Sequence, residues 1–126
     1  MKIITIIARV LLGIGFVIFG ANLIHPFLPM PNEKPPELVA EFMDVVMMKT
    51  AYMKIVGGFQ LVGGLLLLVG RFVPVGLALL GPVLVNILMF HTLVMQGGYM
   101  IPLVFAALWL VVFAGYRSAF AGVFKP

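Results

Sequence analysis

Four long apolar runs, Ile3 to Ile24, Ala51 to Gly70, Phe72 to Met95 and Met100 to Tyr116, take up most of the 126 residues, and nearly every charged side chain lies in the gaps between them. A bilayer core of roughly 30 Å is crossed by about 20 apolar residues in helical form, with a working range of roughly 17 to 25. All four runs meet that length, the last one narrowly. Hydrophobic residues make up 63% of the chain and charged residues only 10%, against about 25% charged in an ordinary soluble domain. Leu61 to Val69 and Val83 to Phe90 are apolar almost all the way round, with no polar stripe for water. A transmembrane barrel would show alternating segments of about 10 residues, and no such alternation is present. The expected fold is therefore all-α: an integral membrane four-helix bundle forming one domain over residues 1–126, with no internal repeat.

The N-terminal run is longer than the apolar core of a secretion signal and lacks a small-x-small cleavage site, so it is expected to remain as the first span. Without cysteine, dithiol redox chemistry, disulfides and thiolate metal sites are excluded. The net charge of +4 does not point to nucleic acid, because its distribution reads as topology. Lys2, Arg9, Arg71, Arg117 and Lys125 fall on one side of a four-span chain. Lys34, Lys49 and Lys54 fall on the other with all four acids, Glu33, Glu37, Glu41 and Asp44. Basic residues set orientation and acids count for little, so the first side is expected to be cytoplasmic. That places both termini on the cytoplasmic side, with the lipid bilayer as the principal partner.

Between the first two spans lies an outer loop of about residues 25–50. Five prolines between Pro26 and Pro36 forbid a continuous helix. Glu37 then opens a short amphipathic helix with Glu37, Glu41 and Asp44 on one face and Leu38, Phe42, Val45 and Lys49 near the other. Acids in its first turns suit the positive end of a helix dipole. The helix is expected to lie along the membrane surface or cap the bundle, and it has the option of running on into span two.

Arg9 sits about two turns into span one, where a long side chain reaches back toward the interface. In span two, Gly57, Gly63 and Gly64 share a face with Gln60, which should point into the bundle. Gly70 to Pro74 makes a tight turn, and Pro102 fits the first turn of span four. Pro82 and Asn86 share a face of span three, with the Asn86 amide expected to bond a neighbouring helix. His91 lies about 140° from Asn86 at 100° per residue, so the two do not face one neighbour squarely.

With the termini inside, Asn22, His25, Tyr52, Gln60, Asn86 and His91 fall in the outer half of the membrane or at its edge. Polar groups at that depth are expensive and serve ligands or helix-to-helix bonds. These six are the candidate ligand-binding residues. His25 and His91 end spans on the same side, and an imidazole pair suits haem iron, a metal ion or quinone carbonyls; capping at a helix end is the plainer reading of His25. Eight methionines (Met30, Met43, Met47, Met48, Met53, Met89, Met95 and Met100) also gather on the outer side. Thioethers with histidine bind Cu(I), but methionine more commonly shapes an adaptable apolar surface. An apolar outer pocket is therefore expected ahead of a copper or haem site, and no metal site is assigned. No nucleophile with a base, no phosphate loop and no carboxylate within a span is visible, so no catalytic residue is assigned.

Several stretches together resemble the DoxX family of small bacterial membrane proteins: Ala8-Arg9-Val10-Leu11-Leu12-Gly13 with Phe19-Gly20-Ala21-Asn22, Phe27-Leu28-Pro29-Met30-Pro31, Gly63 to Phe72, and Pro82 to His91. The resemblance covers nearly the whole chain. It implies a four-helix membrane bundle and, through the archaeal thiosulfate:quinone oxidoreductase subunit that gave the family its name, an accessory role beside a membrane redox partner with a quinone-like ligand. Some relatives carry Glu where this chain has Gln60, so any proton handling by that acid does not carry over. A small-molecule transporter or exporter, and a ligand-free structural membrane protein, are the competing readings.

Overall fold

The computed structural model describes residues 2–28 and 35–124. Met1, residues 29–34 and residues 125–126, which include Met30, Glu33, Lys34 and Lys125 and the middle of the proline-rich stretch, lie outside the described residues. The described chain is helical with no strand. Helix α1 is Ile3–Ile24, α2 is Glu37–Met43, α3 is Tyr52–Val69, α4 is Val73–Met89 and α5 is Met100–Gly115. Two π-helical turns extend α2 and α4, over Asp44–Met48 and Phe90–Val94, and a 3-10 segment, Arg117–Phe124, follows α5. Three helices, Ile3–Ile24, Tyr52–Val69 and Val73–Val94, are long and apolar enough to cross a membrane. A fourth crossing is counted if α5 and Arg117–Val123, bent by 83°, form one span.

Local chemistry sets the ends. After Ile24 the chain leaves the helix before Pro26, which cannot continue it. Asn22 Oδ1 accepts the backbone N–H groups of Phe27 and Leu28, each at 2.9 Å, and closes that exit. Gly70 caps α3 in the left-handed region at φ 78°, where only glycine is free of steric cost. Phe72 also takes a left-handed φ of 55°, and Pro74 stands in the first turn of α4. The α2 segment does not run into α3: residues 49–51 break the helix, and Thr50 bonds back to the Val46 carbonyl at 3.0 Å while accepting the Tyr52 N–H at 3.2 Å. Phe42 and Val45 turn toward the bundle and Glu37, Glu41 and Asp44 are exposed, while Val39 is buried and Leu38 is about half exposed.

The four long helices pack in a ring, α1 on α3 and α5, and α4 on α3 and α5. Glycine sets the distance between α1 and α3. A Cβ at Gly13 would lie 2.9 Å from the Gly64 carbonyl oxygen, and one at Gly20 would lie 2.8 Å from the Gly57 carbonyl oxygen. These pairs, 13 with 64 and 20 with 57, run antiparallel and bring the two backbones into direct contact. Gly63 and Gly76 do the same between α3 and α4. Around these contacts Leu12 and Phe16 from α1, Leu67 from α3, Leu77 and Leu80 from α4, and Val112 from α5 are fully buried. In lipid, an apolar side chain gains little by leaving its neighbours for a protein core, so close packing and cross-helix hydrogen bonds have to hold such an arrangement together. Among the described residues two cross-helix bonds are present: Trp109 Nε1 donates to the Leu77 carbonyl at 3.1 Å, joining α5 to α4, and Arg9 Nη1 donates to the Leu67 carbonyl at 2.6 Å, joining α1 to α3.

Candidate ligand-binding site

Where α3 and α4 diverge toward their α2 ends, a cavity of about 860 Å³ opens between them. The α4 wall consists of two neighbouring i, i+4 rows, Ala78-Pro82-Asn86-Phe90 and Leu79-Val83-Ile87-His91. Ala78 and Pro82 are too small or too compact to fill the space in front of them, and this makes the hollow. Tyr52, Val56, Phe59 and Gln60 form the α3 wall, and the segment from Phe42 to Val46 roofs one end. The Phe42 and Phe90 rings, 5.0 Å apart, tie the roof to α4. Both π turns lie beside this end. Such turns widen the backbone by one residue and are frequent at functional sites.

Four of the six candidate residues, Tyr52, Gln60, Asn86 and His91, line this cavity. Gln60 is only 3% exposed, and its amide makes no hydrogen bond among the described residues. Among the described residues Asn86 does not bond a neighbouring helix: its Nδ2 donates to the Pro82 carbonyl one turn back on its own helix, at 3.0 Å. This leaves its Oδ1 for another donor. The Nδ1 of His91 lies 2.8 Å from the Ile87 carbonyl. In the tautomer that donates there, Nε2 is left as an acceptor. His91 and Asn86 thus come from adjacent rows of one wall; they do not point along one direction, yet the cavity is wide enough to take both.

The polar groups form two tiers. Tyr52 and His91 stand near the α2 end. Gln60 is eight residues into α3 from Tyr52, about 12 Å deeper, and Asn86 is five residues before His91, about 7.5 Å deeper, at 1.5 Å per residue.

Asn22 and His25 lie elsewhere. Asn22 is occupied with the Phe27 and Leu28 amides, and His25 is an exposed residue that ends α1 through its N–H to Ala21. His25 does not share the cavity with His91. No group of three or more His, Asp or Glu side chains suited to a metal ion occurs among the described residues. Of the methionines on the described part of the chain, Met43 and Met53 reach the cavity. The sequence reading did not single out Phe42, Phe59 and Phe90 as walls; the i+4 run of small Ala78 and Pro82 ahead of Asn86 was the available signal. No protein-family model, curated protein or solved structure matches this chain.

Proposed function

We propose that the chain is a multi-pass protein of the DoxX type in the bacterial cytoplasmic membrane, crossing it as a four-helix bundle with both termini inside. In this reading the α2 segment lies at the outer surface and roofs a cavity in the outer leaflet. The cavity binds an apolar, quinone-like small molecule in support of a membrane redox partner. It is a binding or accessory subunit, and no step of chemistry is assigned to its own side chains.

The observation that carries this reading is Gln60, a residue only 3% exposed that borders a mostly apolar hollow and makes no hydrogen bond to another described residue. A polar amide shut off from any partner costs about 1–3 kcal/mol, and a ligand in the hollow would complete the bonding of this one. Further support comes from the size of the cavity, which falls within the roughly 300–1,000 Å³ typical of small-molecule sites, and from Asn86 and His91, which offer free acceptors on the facing wall.

The test is mass spectrometry of small molecules retained by protein extracted gently with its native lipid. A quinone or comparable apolar molecule should be enriched with the wild type and lost from the Gln60→Leu, Asn86→Leu double variant. Protein that retains nothing, and whose melting temperature ignores added quinones, would leave the ligand-free structural reading. Solute flux in proteoliposomes would favour transport instead.

A further inference from the structure

We infer that the groove selects an uncharged amphiphile with a hydrogen-bonding head, lodged at Gln60 and Asn86, whose tail leaves sideways between α3 and α4 into lipid. This rests on the reading of the groove as a ligand site and adds the charge class of the ligand, its orientation and its route of entry. Charge is argued from the lining, which contains no Asp, Glu, Lys or Arg. Among the described residues the acids, Glu37, Glu41 and Asp44, are exposed and outside the lining, and Lys49 is already paired with Asp44 at 3.3 Å. An ionised head at the deep tier would find no counter-charge, and an unpaired buried charge is strongly unfavourable. A neutral head is well served, because the Gln60 amide offers donors and an acceptor, and Asn86 adds its free Oδ1.

Orientation follows from where the wall is incomplete. Phe59, Ala78, Pro82 and Asn86 are exposed along the side of the groove. The groove is therefore open laterally along the apolar flank of two helices fit to cross a membrane, while the α2 segment covers the end. A molecule already dissolved in lipid reaches Gln60 without passing through water, and its tail remains outside.

The test uses the full chain in lipid nanodiscs and three photoreactive hexadecyl probes with the same diazirine-bearing tail: a primary amide, a sulfonate that is anionic at every working pH, and a plain alkane. Cross-linked peptides are quantified at equal probe content per nanodisc. The amide should label the Tyr52–Val69 and Val73–Met89 helices at groove positions about 10-fold more than the sulfonate, equivalent to about 1.4 kcal/mol. Unlabelled hexadecanamide should compete. Gln60→Leu should lower amide labelling toward that of the alkane, and Asn86→Lys, at the exposed edge, should raise sulfonate labelling. Sulfonate labelling equal to amide labelling in the wild type would overturn the charge class while leaving a ligand site in place. Groove labelling by neither probe above the alkane would overturn the ligand site itself. Should Gln60→Leu fail to fold, the wild-type comparison and Asn86→Lys decide the matter alone.

Discussion

Arg9 shows how one side chain links sequence position to fold. Its guanidinium reaches the Leu67 carbonyl in the last turn of α3, where unpaired carbonyls make the helix end negative. The expectation of a side chain reaching back to the interface gave the right direction but missed the recipient, a neighbouring helix. Arg9 Nε is buried without a partner, so part of the gain is offset. Replacing Arg9 with Met keeps the apolar stem and removes the charged bond. The variant should lose about 1.5–3 kcal/mol of stability, read from thermal or denaturant unfolding in detergent, with Arg9→Lys falling between. Asn22 makes the contrasting case among the candidate site residues. Asn22→Ala releases two backbone amides at the end of α1 and should cost about 1 kcal/mol, yet it should leave ligand retention and probe labelling at wild-type levels, as should His25→Ala. Loss of retention in either would mean that the site extends to α1.

Among elements, α1 and α3 have the closest contact, and glycine is responsible. Gly64→Val places a branched side chain where even a Cβ would approach the Gly13 oxygen at 2.9 Å and the Val17 nitrogen at 2.9 Å. The helices must separate, with an expected loss of about 1–3 kcal/mol. Gly58→Ala on the opposite side of the same helix meets nothing and should be neutral or stabilise by up to about 1 kcal/mol through helix propensity. Unfolding midpoints of the two variants, measured side by side, check the assignment of faces. The inward face of α3 was legible because Gly57, Gln60, Gly63 and Gly64 recur at helical spacing. Their partners Gly13 and Gly20 were not, because α1 is apolar on every side and hydropathy gives no direction. Helix ends were legible wherever Gly70, Pro26, Pro74 or Pro102 interrupts the run. The π turns at Asp44–Met48 and Phe90–Val94 left no trace in composition, since they arise from a shift in backbone hydrogen bonding. The polar residues of the groove could be read singly, but their division between a shared cavity and the end of α1 depends on which way each helix is rotated.

At the scale of the whole molecule, the open question is whether α5 travels the full depth of the fold. Its 16 residues span about 24 Å, short of a core of roughly 30 Å, and the chain bends by 83° directly afterwards. Length alone would permit a three-span protein with its termini on opposite sides. The packing argues for four. Phe105 stacks edge-on against Phe16 and Phe19, with centroids 5.1 and 5.8 Å away, while Gly115 at the far end of α5 meets Thr5. From Phe19 to Thr5 is most of α1, so α5 runs antiparallel to a helix that is itself 22 residues long. Its other flank, with Leu103, Val104 and Leu110 exposed, suits lipid. The basic residues agree: Lys2, Arg9, Arg71 and Arg117 all belong to the end of the fold where α1 and α4 begin and α3 and α5 finish. Reporters that work only in the cytoplasm, fused in separate chains to residue 1 and residue 126, should therefore both be active. Arg71→Gln with Arg117→Gln should convert a measurable fraction of molecules to the inverted orientation. An active N-terminal reporter with a silent C-terminal one would show that α5 does not cross. It would also move Arg117 to the surface roofed by α2 and remove the charge asymmetry from which the orientation is derived.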